Sequence, residues 1–280
     1  MRISAVLWIV SIAALLQAQD SQPASPPGWP CVAGRAIDPA YLKISESTGG
    51  QLFLFQKGEA AQSLAVMSAH HTHPATVLRL VGNLDGARDF EFPVDGSVES
   101  LLVLVSVQCR KEILVLRPSG SELTASNSAQ SVDLAAGRIL RVDLPEPGKW
   151  RVRLTGRGLF VLSVLAKTNI HLTGVGFTVN GPPTEGKEQI TRLPNALFGS
   201  PQAIQLELYG QVSRLGMRLV DASGSPISEP DAPEKTGEGS YRTNIVLQAE
   251  HFRILVAGED SSAWPFQRMY PVLFSAPRPR

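Results

Sequence analysis

Apolar residues recur at every second position through most of the chain after Ala75, and this alternation constrains the fold more than any other feature. In the stretches 150–155 and 204–209 each even-numbered residue is apolar, and the residues between them are mostly polar. A period of two is typical of β-strands that bury one face. Two runs, Leu101–Val107 and Leu159–Leu165, are apolar at nearly every position, as inner strands of a sandwich often are. The chain is therefore predicted to be mainly β.

Turn signals separate these stretches: Asp95-Gly96, Pro118-Ser119-Gly120, Pro147-Gly148, Gly156-Arg157-Gly158 and Ser223-Gly224. Short strands spaced by about 8–12 residues favour antiparallel β-sandwiches. The segment Asn180-Gly181-Pro182-Pro183 has the composition of a linker. We therefore predict two antiparallel β-sandwiches, at residues 75–178 and 184–276.

The N-terminal part of the chain is predicted to lie outside these two domains. Residues 1–18 have the short apolar stretch of a signal peptide, with an uncleaved anchor as the alternative, and the stretch is too short to span a membrane. Residues 19–40 are predicted to be a Pro-rich leader. Residues 41–74 are predicted to be a strand–helix fragment, with a strand at Gln51–Phe55 and a helix at Gly58–His70. These features predict a secreted or periplasmic protein without a membrane span.

Charge and motifs narrow the function classes. Lys+Arg number 26 against Asp+Glu 25, so there is no electrostatic footprint for nucleic acid or for an anionic membrane. The sequence has no Gly-x-Ser-x-Gly elbow, no His-Glu-x-x-His motif and no Cys-x-x-Cys motif. We expect a protein without catalytic residues, although a triad on a sandwich scaffold needs no fixed motif.

Two cysteines, Cys31 and Cys109, are the only ones in the chain. Because an oxidising compartment favours disulfide formation, we predict a bridge between them. The alternative is two free thiols, with Cys109 as a small apolar filler at the end of a strand.

Candidate metal ligands occur in two places. Four oxygen-bearing side chains, Asn83, Asp85, Asp89 and Asp95, lie close together in sequence and are typical of ordinary turns, with a calcium site as the alternative. The cluster His70-His71-x-His73 offers imidazoles, but it also reads as the polar end of a helix. We expect no cofactor, with structural calcium left as an alternative.

Three tryptophans of the mature chain are candidate ligand contacts: Trp29, Trp150 and Trp264. Trp150 lies in an alternating strand and is expected in the core. Trp264 lies in the loop segment Ser261-Ser262-Ala263-Trp264-Pro265 and is the better candidate for stacking on a sugar.

Three stretches in order resemble parts of the hemicentins and related proteins. Residues 41–50 resemble the last strand of a von Willebrand factor A domain. The galactose-binding-like sandwich that follows it is resembled by three motifs: Phe92-Pro93-Val94-Asp95-Gly96-Ser97-Val98, Arg117-Pro118-Ser119-Gly120 and Pro145-Glu146-Pro147-Gly148-Lys149-Trp150. Residues 251–260 and 266–268 resemble the subsequent Ig-like module. The resemblance implies a galactose-binding-like jelly roll and an Ig-like sandwich, with only the end of the A domain present. The Asp-x-Ser-x-Ser metal-adhesion motif is missing, so the adhesion that the A domain performs through a divalent cation is not implied here.

The function predicted from these features is non-catalytic binding or adhesion through surface loops, with a protein or glycan ligand at the cell exterior. A structural spacer without its own ligand is the first alternative, and an exported hydrolase is the second. The galactose-binding-like fold does not by itself imply sugar binding.

Overall fold

The computed structural model describes Cys31 and residues 37–184 and 187–279. The signal peptide predicted at 1–18 and most of the leader predicted at 19–40 lie outside these residues, as does Trp29. Within them, the chain is mainly β with antiparallel sheets, as predicted.

The helices and strands follow one another along the chain with these bounds. The helical elements are α1 (Pro39–Thr48), a 3₁₀ helix (Lys57–Gln62) and α2 (Ser63–Thr72). The strands of the first sheet are β1 (Ala75–Val94), β2 (Val98–Leu116), β3 (Gln130–Leu134), β4 (Gly137–Asp143) and β5 (Gly148–Thr168). The remaining strands are β6 (His171–Thr184), β7 (Lys187–Leu193), β8 (Pro201–Tyr209), β9 (Val212–Val220), β10 (Pro226–Ser228), β11 (Glu234–Gly237), β12 (Ser240–Val246), β13 (His251–Asp260), β14 (Pro265–Met269) and β15 (Phe274–Ser275).

The first sheet has the order β1-β5-β2-β4-β3 and is bent into two layers. Phe90 pairs with Val152, eight residues before Phe160, yet the rings of Phe90 and Phe160 are 5.3 Å apart. Eight residues of a straight strand span about 26 Å, so β1 and β5 must fold back on themselves. Each long strand therefore contributes to both layers, and together with β3 and β4 this gives eight strand segments, the number found in a jelly roll.

Glycines and bulges allow the bend. Gly86, with a φ of 106°, pairs with Gly156, and a Cβ at Gly156 would lie 2.5 Å from the carbonyl oxygen of Cys109. The register of β2 shifts on both sides of Cys109, between Val107 and Cys109 and between Arg110 and Glu112. Gly156-Arg157-Gly158 was predicted as a turn, which is wrong. These glycines lie inside β5 because the strand bends there without ending.

The second sandwich consists of two sheets, β10-β9-β13-β14 with β15 paired to β13, and β11-β12-β8-β6-β7. Its core contains residues from both sheets, among them Phe177, Ile204, Met217 and Ile254. In immunoglobulin-type sandwiches strands A, B, E and D form one sheet and strands C, F and G the other. Strands β6, β8, β12 and β11 take the former positions, and β9, β13 and β14 the latter, with β10 beside β9.

The linker predicted at Asn180-Gly181-Pro182-Pro183 is wrong. Asn180 pairs with Ile190 and Gly181 with Gln189, so this segment belongs to β6 and its hairpin with β7. The first sheet ends at Thr168 and β6 begins at His171, which places the boundary about ten residues before the predicted one. Composition indicated a linker here because a hairpin end uses the same Gly and Pro residues.

The strand–helix fragment predicted at 41–74 needs a correction. Residues 41–48, predicted as a strand by resemblance to an A domain, lie in α1. Asp38 caps this helix, since its side chain accepts a hydrogen bond from the backbone N–H of Ala40 at 2.9 Å, and Gly49 ends it with a φ of 73°. The helix predicted at Gly58–His70 is present as the 3₁₀ helix followed by α2. The strand predicted at Gln51–Phe55 is wrong, since these residues form no regular secondary structure and pair in no sheet of the described chain.

Residues 38–74, which we call the N-terminal segment, cover half of the outer face of the first sheet. Phe53 and Phe55 pack on Leu102, Leu104 and Leu165. Three serines of the sheet hold the segment by hydrogen bonds: Ser106 Oγ accepts from the Leu54 N–H at 3.1 Å, Ser163 donates to Gln51 at 2.6 Å, and Ser100 bonds His73 at 3.0 Å. This packing explains why β2 and β5 are apolar on both faces in this half of the sheet.

Candidate functional site

The other half of the outer face of the first sheet is not covered by the N-terminal segment and carries ion pairs between β1 and β5. We call it the charged face, and it includes Asp85, Asp89, Glu91, Lys149, Arg151, Arg153 and Arg157. Odd-numbered residues of β5 point outward. From Leu159 to Leu165 they are apolar except Ser163, whereas before Gly158 they are basic except Thr155: Lys149, Arg151, Arg153 and Arg157. Acidic residues of β1 stand opposite them in register: Asp85 with Arg157, Asp89 with Arg153 and Glu91 with Arg151. Directly opposite positions in antiparallel strands bring side chains within reach of each other.

The ion pairs of the charged face are well formed. Arg153 donates two hydrogen bonds to Asp89, at 2.7 and 2.8 Å, in the parallel geometry that fixes a guanidinium against a carboxylate. Arg151 donates to Glu91 at 2.8 Å, and Lys149 donates to the same carboxylate at 3.1 Å. The side chains are thus held in place although they remain accessible to solvent.

These contacts set the charge states of the face. The hydrogen bond from Arg153 lowers the pKa of Asp89, and the same contact raises the pKa of Arg153. Hydrogen bonds from Lys149 and then Arg151 lower the pKa of Glu91. Both carboxyl groups are therefore ionised at neutral pH and act as hydrogen-bond acceptors.

An open groove of about 690 Å³ lies on the charged face. Its lining consists of Ala87, Arg88, Asp89, Lys111, Glu112, Arg153 and Thr155. Guanidinium and ammonium groups supply donors, and the two carboxylates supply acceptors. A groove with donors and acceptors of both charges suits a ligand that is rich in hydroxyl groups.

The four side chains named above as an alternative calcium site are not brought together. Asp85 and Asp89 lie on the charged face with Arg157 and Arg153, whereas Asp95 is buried at the turn after β1, 2.7 Å from Arg268. Asn83 is exposed on β1. Across the described residues, no group of three or more His, Cys, Asp or Glu side chains is placed to hold a metal ion.

The histidine cluster is split in a similar way. His73 is buried between Thr72, whose hydroxyl is 2.9 Å from Nδ1, and Ser100, which in turn donates to Asp143 at 2.7 Å. His71 is exposed, and the side chain of His70 lies outside what the structure describes. His73 therefore joins the end of α2 to β2.

Trp264 lies at the junction of the two sandwiches and is 42% exposed. Its backbone N–H donates to Asp260 at 2.9 Å, and Asp260 also accepts from the N–H of Gly96 at 3.2 Å. A Cβ at Gly96 would lie 3.2 Å from the indole ring, so a larger residue there would press against Trp264. The loop position predicted for Trp264 is correct. Trp150, by contrast, is fully buried, as expected.

Cys31 and Cys109 form a disulfide, as predicted. Cys109 lies at the bend of β2, so the bridge joins the chain before α1 to the boundary between the covered half of the sheet and the charged face. Within the described residues no free cysteine occurs.

Two buried ionic clusters were not predicted from the sequence. Glu46 of α1 pairs with Arg79 of β1, at 3.6 Å, and with Arg253 of β13. Arg79 also donates to the carbonyl oxygens of Ser45 and Gly50, at 3.1 and 2.6 Å, and so caps the C-terminal end of α1. Burial, and then the neighbouring Arg253, lower the pKa of Arg79 to about 10.

The second cluster, Asp95 with Arg268, joins the turn after β1 to β14. Arg268 donates to Asp95 at 2.7 Å and to Thr168 at 2.9 Å. Its pKa is lowered by burial, against the opposing effect of Asp95. Alternation along a strand predicts that a polar residue is exposed. The sequence therefore does not indicate that Arg79, Arg253 and Arg268 are buried.

The comparison with protein families concerns the first sheet. Residues 75–169 match the model of the hemicentin galactose-binding domain-like family. These residues are a galactose-binding-like domain of the hemicentin type. The match covers β1 to β5 and ends before β6, which agrees with the boundary seen in the structure and not with the predicted one. The groove and the charged face lie entirely within this galactose-binding-like domain.

Comparison with solved structures gives distant similarity only. Lipase BlEst2 of Bacillus licheniformis in propeptide form is 11% identical with a TM-score of 0.31, over 70% of this chain and 43% of that one. β-Glucuronidase 3 of Bacteroides uniformis is 8% identical with a TM-score of 0.25, over 69% and 27%. The Endo-D glycoside hydrolase domain of Streptococcus pneumoniae is 10% identical with a TM-score of 0.20, over 71% and 33%. The chain thus spans less than half of each of these proteins, and such low TM-scores support no functional conclusion.

Curated proteins give no match to the chain. Among the helices that the structure describes, none has the length and apolar character needed to cross a membrane.

Proposed function

We propose that this protein is an exported, non-catalytic binding protein of the adhesion type, and that its galactose-binding-like domain binds a carbohydrate in the groove of the charged face. The observation that carries the proposal is the groove itself, in which Arg153 and Asp89 are fixed against each other and remain accessible. Because paired groups are already in position, a ligand with several hydroxyl groups would find ordered donors and acceptors.

The direction of the pKa shift in the groove favours binding over hydrolysis. Glycoside hydrolysis requires one carboxyl group whose pKa is raised so that it can protonate the leaving group. In the groove, the pKa of Asp89 is instead lowered by the hydrogen bond from Arg153, the opposite of what a general acid requires. This supports a groove that holds a ligand without cleaving it.

Export is supported by the disulfide between Cys31 and Cys109, since such bonds persist in oxidising compartments. The strand order of the second sandwich supports the Ig-like module implied by the resemblance to hemicentins. In this proposal the second sandwich holds the galactose-binding-like domain through the junction at Asp95 and Arg268.

The proposal is tested by glycan-array screening of the disulfide-bonded protein, followed by calorimetry with a glycan that binds. Arg153→Gln removes the paired donor and should weaken binding at least about tenfold, the effect of losing a hydrogen bond to a charged group. The matched control is Arg214→Gln, which removes an exposed arginine 3.4 Å from Glu259 in the second sandwich and should leave affinity unchanged. Absence of any bound glycan would favour the spacer alternative, and release of shorter sugars would favour a hydrolase.

Trp264 remains a proposed second contact for the same ligand. The backbone of Trp264 is fixed by its hydrogen bond to Asp260, and the indole is partly exposed and can stack on a sugar ring. If it contributes, Trp264→Ala should weaken binding of longer glycans more than that of a monosaccharide, as measured by calorimetry. Equal effects on both, or no effect, would exclude Trp264 from an extended site.

A further inference from the structure

The edge of the first sheet along β1 is open in the charged face. In the described chain β1 pairs with β5 on one side only, and it is the end strand of its sheet. An unpaired edge presents a row of backbone N–H and C=O groups that can bind another strand.

Contacts of the first half of β1 show which of its residues direct their backbone groups away from β5. The N–H of Val81 donates to the carbonyl oxygen of Ala222 at 2.8 Å, and the carbonyl oxygen of Val77 accepts from Gln267 at 3.1 Å, both in the second sandwich. Val81 therefore directs its backbone groups away from β5. The register with β5 continues without a shift from Leu78 to Val94, so the same holds for every odd residue up to Glu91.

Pro93 agrees with this alternation. Proline has no N–H, so within a sheet it is confined to positions whose N–H would face away from a partner strand. Pro93 is also an odd residue of β1, in register with Lys149. Beyond the bend at Gly86, the open edge thus comprises the outward backbone groups of Ala87, Asp89 and Glu91.

Charge determines the partner that fits this edge. Asp89 and Glu91 are two residues apart and lie on the same side of the sheet. On the side of β1 that is paired, strand β5 places the basic residues Arg153, Arg151 and Lys149 next to these two carboxylates. A strand added on the open side would fit best if it also carried basic residues. A second copy of β1 paired about Ala87 would put Asp85 opposite Asp89, and like charges directly opposite are destabilising.

We propose that the edge Ala87–Glu91 binds an extended peptide that carries basic residues at alternate positions, by adding it to the sheet as a strand next to β1. Backbone hydrogen bonds to Ala87, Asp89 and Glu91 supply the pairing, and the two carboxylates select basic side chains. This ligand differs from the carbohydrate proposed for the groove, although both sites include Ala87 and Asp89. The peptide requires the outward backbone groups of β1 and the two carboxylates, and it does not require Arg153.

The test uses a synthetic peptide with the sequence of residues 148–155, which has Lys149, Arg151 and Arg153 at alternate positions, and a control peptide with Glu at those three positions. Calorimetry and NMR with the disulfide-bonded protein should show binding of the basic peptide only, with slowed amide exchange at Ala87, Asp89 and Glu91. Ala87→Pro should weaken binding about fivefold, the effect of one lost backbone hydrogen bond. Ala87→Val, which keeps the N–H, should not.

A variant that leaves the backbone intact provides the second arm. Asp89→Asn combined with Glu91→Gln should weaken binding of the basic peptide and reduce its dependence on salt. Equal binding of both peptides, or unchanged affinity in Ala87→Pro with unchanged thermal unfolding, would overturn the proposal. Self-association that Ala87→Pro abolishes, without peptide binding, would assign the edge to a second copy and would equally overturn it.

Discussion

At the scale of single residues, the buried acids and arginines carry much of the specificity of this fold. Glu46 is the only acidic side chain that ion-pairs with both Arg79 and Arg253 in the described chain, and each arginine belongs to a different sheet. Removing one member of a buried ion pair leaves an uncompensated charge, which is far more destabilising than losing a pair at the surface.

Glu46→Gln should therefore lower the free energy of unfolding by about 3–5 kcal/mol, the usual effect of breaking a buried pair. Glu259→Gln is the matched control, because Glu259 pairs with an exposed arginine and should change stability by less than about 1 kcal/mol. Urea denaturation of both variants measures the difference. Similar small effects in the two variants would mean that the cluster is not a structural requirement.

The pKa of Asp89 gives a second prediction at this scale. Because Arg153 lowers that pKa in the folded state, the ion pair contributes stability above the unfolded pKa and loses it as pH falls through the folded pKa. Carboxyl NMR should show Asp89 titrating below the ordinary value of 3.8. In Arg153→Gln its pKa should rise towards that value, and an unchanged pKa would contradict the assigned pair.

At the scale of elements, alternation predicts the strands and their buried faces, but it does not predict the bends within strands or helix α1. The odd residues of β5 are basic before Gly158 except for Thr155, and apolar from Leu159 to Leu165 except for Ser163, which marks one exposed half and one half covered by another part of the chain. The glycines at 156 and 158 indicated a turn because sequence alone does not distinguish a turn from a bend within a strand. Helix α1 was missed although Asp38, Pro39 and Gly49 are ordinary start and stop signals.

The disulfide tests how the N-terminal segment is held. Cys31 and Cys109 are separated by 78 residues, and in the chain-entropy model closing such a loop stabilises by about 4 kcal/mol. Cys31→Ser with Cys109→Ser should lower the unfolding free energy by up to about that amount, as measured by denaturation without reductant. Stability equal to that of the parent would show that the packing of Phe53 and Phe55 is sufficient.

At the scale of the whole molecule, the two sandwiches share one buried interface. Val220, Leu255 and Met269 of the second sandwich pack in the core of the galactose-binding-like domain. Two sandwiches could be predicted from the sequence, but this contact could not, since it depends on strands more than a hundred residues apart. The candidate site shows the same limit. The sequence indicates Asp85 and Asp89 only as turn residues or alternative calcium ligands, because it does not show that Arg157 and Arg153 lie opposite them on β5.

The central claim is that the charged face of the galactose-binding-like domain binds a carbohydrate. The most direct measurement is NMR mapping of the labelled protein titrated with a glycan selected on an array. We predict that the shift changes centre on Arg153, Thr155, Lys111 and Glu112, the groove residues that lie on β5 and β2. Changes confined to the second sandwich, or no changes at saturating glycan, would contradict the claim.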